Sequence, residues 1–404
     1  MAKGYSQVPG MDYTDTYSPV VRLETIRTIL ALAVSQDWEI QQMDVKGAYL
    51  NGILKEDVFM EQPEGYEDGT SRLCRLIKTL YGLKQSGREW NIVLNEQLET
   101  KNLNRLYSDP CVYIRKTSEG IEIITVWVDD LLLFTSNEIL MSNLKRELQN
   151  MFEVTDLGDP SKIVGIEIER NREKRELKIS QTQYIESILK KNGLVDSNAV
   201  GSPLDPKIKL EPIAQVSEMK DRSNNYASLI GSLMYAAVAT RPDIAYAVYR
   251  LASYTANPDI IHWTAVKHVL RYLIGTKSLG IIYKANNVSD DNNFVGYSDA
   301  SFANNDDRTS VSGYTFLSSG GAIGDLRSKM LFLYRRQKLN IFVFLTQPEK
   351  LDGFVIYIWN WDLSNMKPPK FTVITQAHWQ LLKILSTTRE RSTSILKVIS
   401  SETK

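Results

Sequence analysis

Three carboxylates carry the chemistry that this sequence could perform. Residues 126 to 134 read VWVDDLLLF, with Asp129 and Asp130 adjacent inside an otherwise apolar run, and Asp44 stands in EIQQMDVKGAYLNG, at the end of a short strand-like stretch. Two apolar strands joined by a tight Asp-Asp turn would bury the flanking Val and Leu side chains and present the charges at the hairpin tip, because Asp tolerates turn geometry. An Asp-Asp turn is also an ordinary solvated feature. If the strand ending at Asp44 neighbours the hairpin, Asp44 and Asp129 could hold divalent cations, since Mg²⁺ takes hard oxygen ligands and usually keeps substrate phosphates in its shell. Two such ions suit in-line displacement at phosphorus. Spacing alone leaves that adjacency open, and an unrelated metal-dependent phosphohydrolase would share these acidic residues.

The elements that must position these groups are legible as patterns. RLETIRTILALAVSQ, residues 22 to 36, places Leu23, Ile26, Ile29, Leu30 and Val34 at helical spacing. EIQQMDVKGAYLNG and VFMEQPEGY read as strand segments, residues 86 to 102 as a helix, CVYIRK as a strand, and GIEIITVWV with LLLFT as the strands flanking the aspartates. EILMSNLKRELQNMF reads as a helix and VGIEIERNREKRELKIS as a hairpin with a charged turn. Residues 195 to 225 contain several prolines and little periodicity, which predicts a linker. Three helices are expected next, in YASLIGSLMYAAV, PDIAYAVYRLASYT and IIHWTAVKHVLRYLIG, followed by strands in LGIIYKA, NFVGYSDA and SVSGYTFLSS.

Composition bounds the class. The 404 residues are 43% hydrophobic and 24% charged, near the soluble globular average, and the length allows two or three domains. Lys plus Arg and Asp plus Glu each number 48, so a nucleic-acid groove would have to come from local clustering of basic residues. Cys74 and Cys111 are too few for a disulfide framework and lack metal-ligand spacing, which predicts a reducing compartment. With no signal-peptide pattern and no apolar run long enough to span a bilayer, the expectation is a soluble intracellular chain. His262, His268 and His378 form no ligand constellation and read as packing or surface residues.

Taken together, QMDVKGAYLNG, LYGLKQSGREW at 80 to 90 and VWVDDLLLF resemble the reverse transcriptase of copia-type retrotransposons, and in the same order. Downstream, LGDPSKIVGIEIER, YASLIGSLMYAAVATRPDIAYAVYRLASY, HWTAVKHVLRYLIGT and VGYSDASFANNDDRTSVSGYTFLSSGGAI resemble the same polyprotein, so the likeness runs from residue 1 to about 323. It implies an α+β fold: a right-hand polymerase palm with truncated fingers and a thumb, then a partial ribonuclease H-like α/β domain. The implied domains are residues 1–194 (fingers remnant, palm and start of thumb), 195–285 (linker and helical connection region), 286–324 (partial ribonuclease H-like) and 325–404 (a divergent tail).

The resemblance also implies roles. Asp44, Asp129 and Asp130 would be the palm carboxylates, with Asp44 and Asp129 as ligands of two Mg²⁺ or Mn²⁺ ions. Tyr49 resembles a steric gate against the nucleotide sugar, and Tyr81, Gly82 and Lys84 a nucleotide-binding turn. Val164, Gly165 and Ile166 resemble a primer grip, and Asp299 in GYSDAS the first carboxylate of a ribonuclease H site. The implied activity is RNA-directed DNA polymerisation on an RNA or DNA template with primer and deoxynucleoside triphosphates, in the cytoplasm and without a membrane partner. Three departures qualify it. Met1-Ala2-Lys3-Gly4 falls just after the family's basic finger segment, so most of the triphosphate clamp is expected to be absent. Trp127 and Gly87 replace a common tyrosine and proline. The segment that supplies the second ribonuclease H carboxylate does not appear, so RNA cleavage is expected to be lost. These departures support a second expectation, a catalytically inactive retroelement fragment that at most binds nucleic acid.

Overall fold

The computed structural model describes residues 2–211, 223–285, 295–301, 310–323, 329–331, 356–360 and 370–374. Two compact units divide the chain, Met1–Lys178 and Ile179–Lys404.

In the first unit the described elements are α1 (Leu23–Ser35), β1 (Glu39–Val45), a 3₁₀ turn at Ala48–Asn51, β2 (Phe59–Met60), β3 (Cys74–Arg75), α2 (Ser86–Thr100), β4 (Asn104–Arg105), β5 (Val112–Lys116), β6 (Ile121–Trp127), β7 (Asp130–Thr135), α3 (Glu138–Met151), β8 (Val154–Gly158), β9 (Lys162–Ile163) and β10 (Ile166–Asn171). β11 (Glu176–Ser180) runs across the boundary. Six strands form one antiparallel sheet in the order β4-β5-β6-β7-β1-β8. The first strand in sequence therefore lies between two later ones. β6 and β7 are apolar because they sit in the middle of this sheet: Ile123, Ile124, Val126 and Leu131 to Phe134 are all buried, each such side chain contributing about 1.5–3 kcal/mol of burial.

The helices follow from their stripes and caps. α3 buries Leu140, Met141, Leu144 and Leu148 against β1, β6, β7 and β8, and Asn137 caps it by accepting from the Leu140 N–H at 2.9 Å. α1 has no capping side chain of its own at Arg22. Its cap comes from far along the chain: the buried Asp109 accepts from the Arg22 N–H at 3.1 Å and the Thr25 hydroxyl at 2.7 Å. α2 buries Trp90, Leu94 and Leu98 and packs on the 3₁₀ turn at Ala48–Asn51.

The second unit contains α4 (Thr182–Lys191), α5 (Ser223–Ala239), α6 (Ala245–Ala252) and α7 (Ile260–Thr276), packed around Ile185, Leu233, Val248, Leu251, Val269 and Leu273. β12 (Gly280–Lys284), β13 (Val295–Ser301), β14 (Ser310–Ser318), β15 (Gly321–Ala322) and β16 (Lys329–Leu331) follow, with β13-β14-β15 in one sheet and β16 paired to β14. β17 (Ile356–Asn360) and β18 (Lys370–Ile374) pair with each other.

Several sequence expectations change. The hairpin turn is Val128–Asp129, and Asp130 already belongs to β7, pairing with Trp127. VFMEQPEGY contributes only the two residues of β2. In PDIAYAVYRLASYT, Pro242–Ile244 form a 3₁₀ turn before the shorter α6. The linker is irregular through residue 211, α5 opens at Ser223, and the rest of that stretch lies outside the described residues. β8 and α4 were not anticipated: VTDLG has the polar pattern of an edge strand, whereas Tyr184, Ile185, Ile188 and Leu189 do have helical spacing.

Candidate functional site: aspartates on adjacent strands

β1 pairs with β7 in a register that sets Asp44 directly opposite Asp130, so both side chains occupy the same face of the sheet at one end. Asp129 stands beside them in the β6–β7 turn. The backbone around it is fixed from two sides. The Val45 N–H donates to the Asp129 carbonyl at 2.9 Å, and the indole N–H of the buried Trp90 donates to the Val128 carbonyl at 2.7 Å. Trp90 is in turn held edge-on to Phe152, ring centroids 5.1 Å apart. Val128 has φ +58°. Two-residue hairpin turns need positive φ at their first central position, where Gly, Asn or Asp is usual, and a β-branched residue there is strained. The strain sits next to the carboxylates, as strained backbone often does at functional sites.

The three carboxylates work against one another. Burial, and then the charge of Asp129, raise the Asp44 carboxyl above its usual range. Asp130 is also raised, by burial first; the hydrogen bond from Gln42 pulls it down, and the charges of Asp129 and Asp44 push it up. The Gln42 amide donates to Asp130 Oδ1 at 3.0 Å. One oxygen of the Asp130 carboxylate is thus engaged by the neighbouring strand, while Asp44 lies opposite Asp130 and within reach of the Asp129 charge. Among the described residues no group of three or more His, Cys, Asp or Glu is arranged to hold a metal ion.

Two aromatic rings adjoin the aspartates. Tyr49 lies in the 3₁₀ turn that follows β1, and its ring centroid is 4.7 Å from that of Tyr81, at 45°. Burial and then Asp129 raise the Tyr49 hydroxyl, while burial, Asp129, Tyr49 and Asp44 raise that of Tyr81. Five of the residues implicated from sequence, Asp44, Asp129, Asp130, Tyr49 and Tyr81, therefore share one electrostatic environment. Gly82 has φ +105°, and a Cβ there would fall 2.1 Å from the Ala2 carbonyl, so only glycine fits. Residues 2 to 12 line this turn: the Ala2 N–H donates to the Tyr81 carbonyl at 2.8 Å, and the Lys84 N–H donates to Gln7 Oε1 at 2.7 Å. The Lys84 side chain is exposed.

The remaining sequence candidates stand elsewhere. Val164 (φ +50°) and Gly165 (φ +78°) form the two-residue turn between β9 and β10, and Ile166 opens β10. Asp299 lies in β13 of the second unit, in register with Gly313 of β14. Sequence reasoning overlooked Gln42, Val128 and Trp90. Gln42 carries a signal in retrospect, two residues before Asp44 and hence on the same strand face. Trp90 lies inside LYGLKQSGREW, but nothing local ties it to the hairpin.

Residues 1–206 match the family described as reverse transcriptase (RNA-dependent DNA polymerase). The chain belongs to the copia-type reverse transcriptase family. It is 40% identical over 331 residues to the retrovirus-related Pol polyprotein from transposon TNT 1-94 of Nicotiana tabacum, an alignment covering 80% of this chain and 25% of that polyprotein. The polyprotein from transposon RE1 of Arabidopsis thaliana is 37% identical over 317 residues, covering 78% and 21%. A putative transposon Ty5-1 protein of Saccharomyces cerevisiae is 30% identical over 247 residues, covering 60% of this chain and 79% of its own length. The chain thus spans about a quarter or less of the plant polyproteins it matches. The mixed α/β fold suits a polymerase-like domain, and no helix among the described residues is long and apolar enough to cross a membrane.

Proposed function

We propose that this chain is a catalytically inactive retroelement fragment of the reverse transcriptase family that binds a primer-template duplex. The arrangement of the carboxylates carries this reading: Asp130 is held by Gln42, and no third donor joins Asp44 and Asp129 among the described residues. In this reading residues 1–194 are the palm with a fingers remnant and the start of a thumb, and 195–285 a linker and helical connection. Residues 286–324 are a partial ribonuclease H-like domain retaining Asp299, and 325–404 a divergent tail. Tyr49, Tyr81, Gly82 and Lys84 are the vestige of a nucleotide site, and Val164, Gly165 and Ile166 the turn that touches the primer strand. Binding of this kind goes mainly through phosphates and weakens steeply with salt.

One observation favours a second reading, an RNA-directed DNA polymerase that adds deoxynucleotides to a primer 3′-hydroxyl. Asp44 and Asp130 are both raised by burial and by neighbouring charge, a penalty that a cation would relieve. Mg²⁺ is often held by only one or two carboxylates together with substrate phosphates. On this reading Asp44 and Asp129 would receive Mg²⁺ or Mn²⁺ only as it arrives with the triphosphate.

The deciding experiment follows fluorescence anisotropy of a labelled oligo(dT)–poly(rA) duplex and its extension with Mg²⁺ or Mn²⁺, beside Asp129→Asn. Salt-sensitive binding without extension is the expected result. Extension by the wild-type chain that disappears in Asp129→Asn establishes the polymerase instead. Absence of binding at low salt sinks both readings.

A further inference from the structure

α1 ends in an arrangement that helix chemistry does not ask for. The Trp38 N–H donates to the Ala33 carbonyl at 2.8 Å and the Asp37 N–H to the Val34 carbonyl at 3.4 Å, the paired bonds of a Schellman cap with Asp37 at its left-handed position, φ +53°. That position prefers Gly or Asn, and the C-terminus of a helix disfavours a negative charge. Asp tolerates the left-handed position less well than Gly or Asn, and its charge is the wrong sign for the end of a helix. What it touches supplies the reason.

Three arginines of the β10–β11 hairpin converge on this corner. Arg170 donates to Asp37 Oδ1 at 3.1 Å, with its own side chain largely buried, and Arg172 approaches the same oxygen at 3.6 Å. Arg172 also donates to Glu39 at 2.6 Å, in the first residue of β1, and to the Trp38 carbonyl at 3.4 Å. Arg175, at φ +50° in the hairpin turn, donates to the Ser35 carbonyl at 2.9 Å, where a cation meets the negative end of the helix. The arginines would repel one another at this spacing without Asp37 and Glu39 between them.

We propose that Asp37 and Glu39 anchor an electrostatic latch that fixes the β10–β11 hairpin to the α1–β1 corner and so positions the Val164–Gly165 turn relative to the strand bearing Asp44. β10 connects the latch at one end to that turn at the other, and β1 runs from Glu39 to Asp44, about 17 Å at 3.3 Å per residue. Asp37 is a positioning residue: it acts through the hairpin and touches no substrate. The part of the inference that concerns duplex binding rests on the reading given above.

The test compares full-length wild type with Asp37→Asn, a residue that suits the left-handed cap better than Asp. Hydrogen exchange of peptides covering residues 162–180 is followed at low salt and at about 1 M, where charges are screened within about 3 Å. Duplex affinity is measured by anisotropy in parallel. The latch requires exchange in β10 to rise by roughly three- to tenfold in Asp37→Asn, the loss of two partly exposed ion pairs, and the difference to shrink at high salt. Glu39→Arg should loosen the same peptides, and Glu39→Arg with Arg172→Glu should restore them. A residue that merely ended a helix would give the opposite pattern, unchanged exchange and a higher melting temperature, and that result overturns the latch. Looser exchange with wild-type affinity overturns the link to binding. If the wild type binds no duplex, the binding reading fails and exchange with charge-swap rescue decides the latch alone.

Discussion

Replacing Trp90 with Phe tests whether the acidic turn is held in its strained form from outside. The perturbation removes the 2.7 Å hydrogen bond to the Val128 carbonyl, worth about 1 kcal/mol at this part-buried position. It also shrinks the ring packed on Phe152, for about another 1 kcal/mol. Against this stands Val128 at φ +58°, where the left-handed region costs an L-residue about 1–2 kcal/mol. With the indole gone the turn can relax and recover part of that cost, so Trp90→Phe should destabilise the first unit by about 1 kcal/mol rather than about 2. In a Val128→Gly background no strain remains to be recovered, and the same substitution should cost about 2 kcal/mol. Urea unfolding of the four chains, followed by circular dichroism and by hydrogen exchange in residues 121–135, yields the coupling directly. A Trp90→Phe cost that is the same in both backgrounds, within the roughly 0.5 kcal/mol of ordinary additivity, refutes the argument that Trp90 holds the strain.

Two other predictions concern charge. Arg241 is fully buried, chelates Asp243 through bonds of 2.9 and 2.7 Å, and donates to the Thr276 carbonyl and hydroxyl at 2.9 and 2.7 Å. Arg241→Met should therefore destabilise the second unit by about 3 kcal/mol, read as a lower unfolding midpoint there, with Asp243→Asn restoring part of the loss. Burial pushes the Asp243 carboxyl up, but the Arg241 bonds and charge bring it below its usual range, so the wild-type advantage should be present at neutral pH and vanish as pH falls through that lowered value. Asp44 and Asp130 behave the other way. Their folded-state values are raised, the folded chain binds more protons just above the ordinary carboxyl range, and this contribution to stability falls as pH rises through that window. Asp44→Asn should flatten that decline in a pH series of thermal melts; an unaltered slope would show that burial and the Asp129 charge do not raise the Asp44 carboxyl.

The legible parts of the fold were those decided within about fifteen residues. The stripes of α1, α2 and α3 and the apolar strands β6 and β7 followed from spacing, because burial of one face is a local pattern. The hairpin turn was misplaced by one residue for a physical reason. Asp is the better turn former, but pairing of Trp127 with Asp130 puts Val128 in the turn, where Trp90 and Val45 hold it. Asp109, capping α1 from 87 positions away in sequence, was invisible for the same reason. Asp44 could be singled out as a carboxylate at a strand end, but its placement opposite Asp130 depends on a pairing between segments far apart in the chain. The family resemblance supplied that association; the periodicity did not.

The central position of β1 has a further consequence for how the chain reaches this state. β1 is made early, yet both of its sheet neighbours, β7 and β8, come about 90 residues later or more, so long-range loop closure must precede the assembly of the acidic face. During synthesis an unpaired β1, with Ile40, Met43 and Val45 to bury, waits while β4 to β6 emerge. Asp44 cannot meet Asp130 until β7 has been made, and a nascent chain stopped before residue 130 would carry Asp44 on a strand with open edges, available to a holdase chaperone or to another copy of itself.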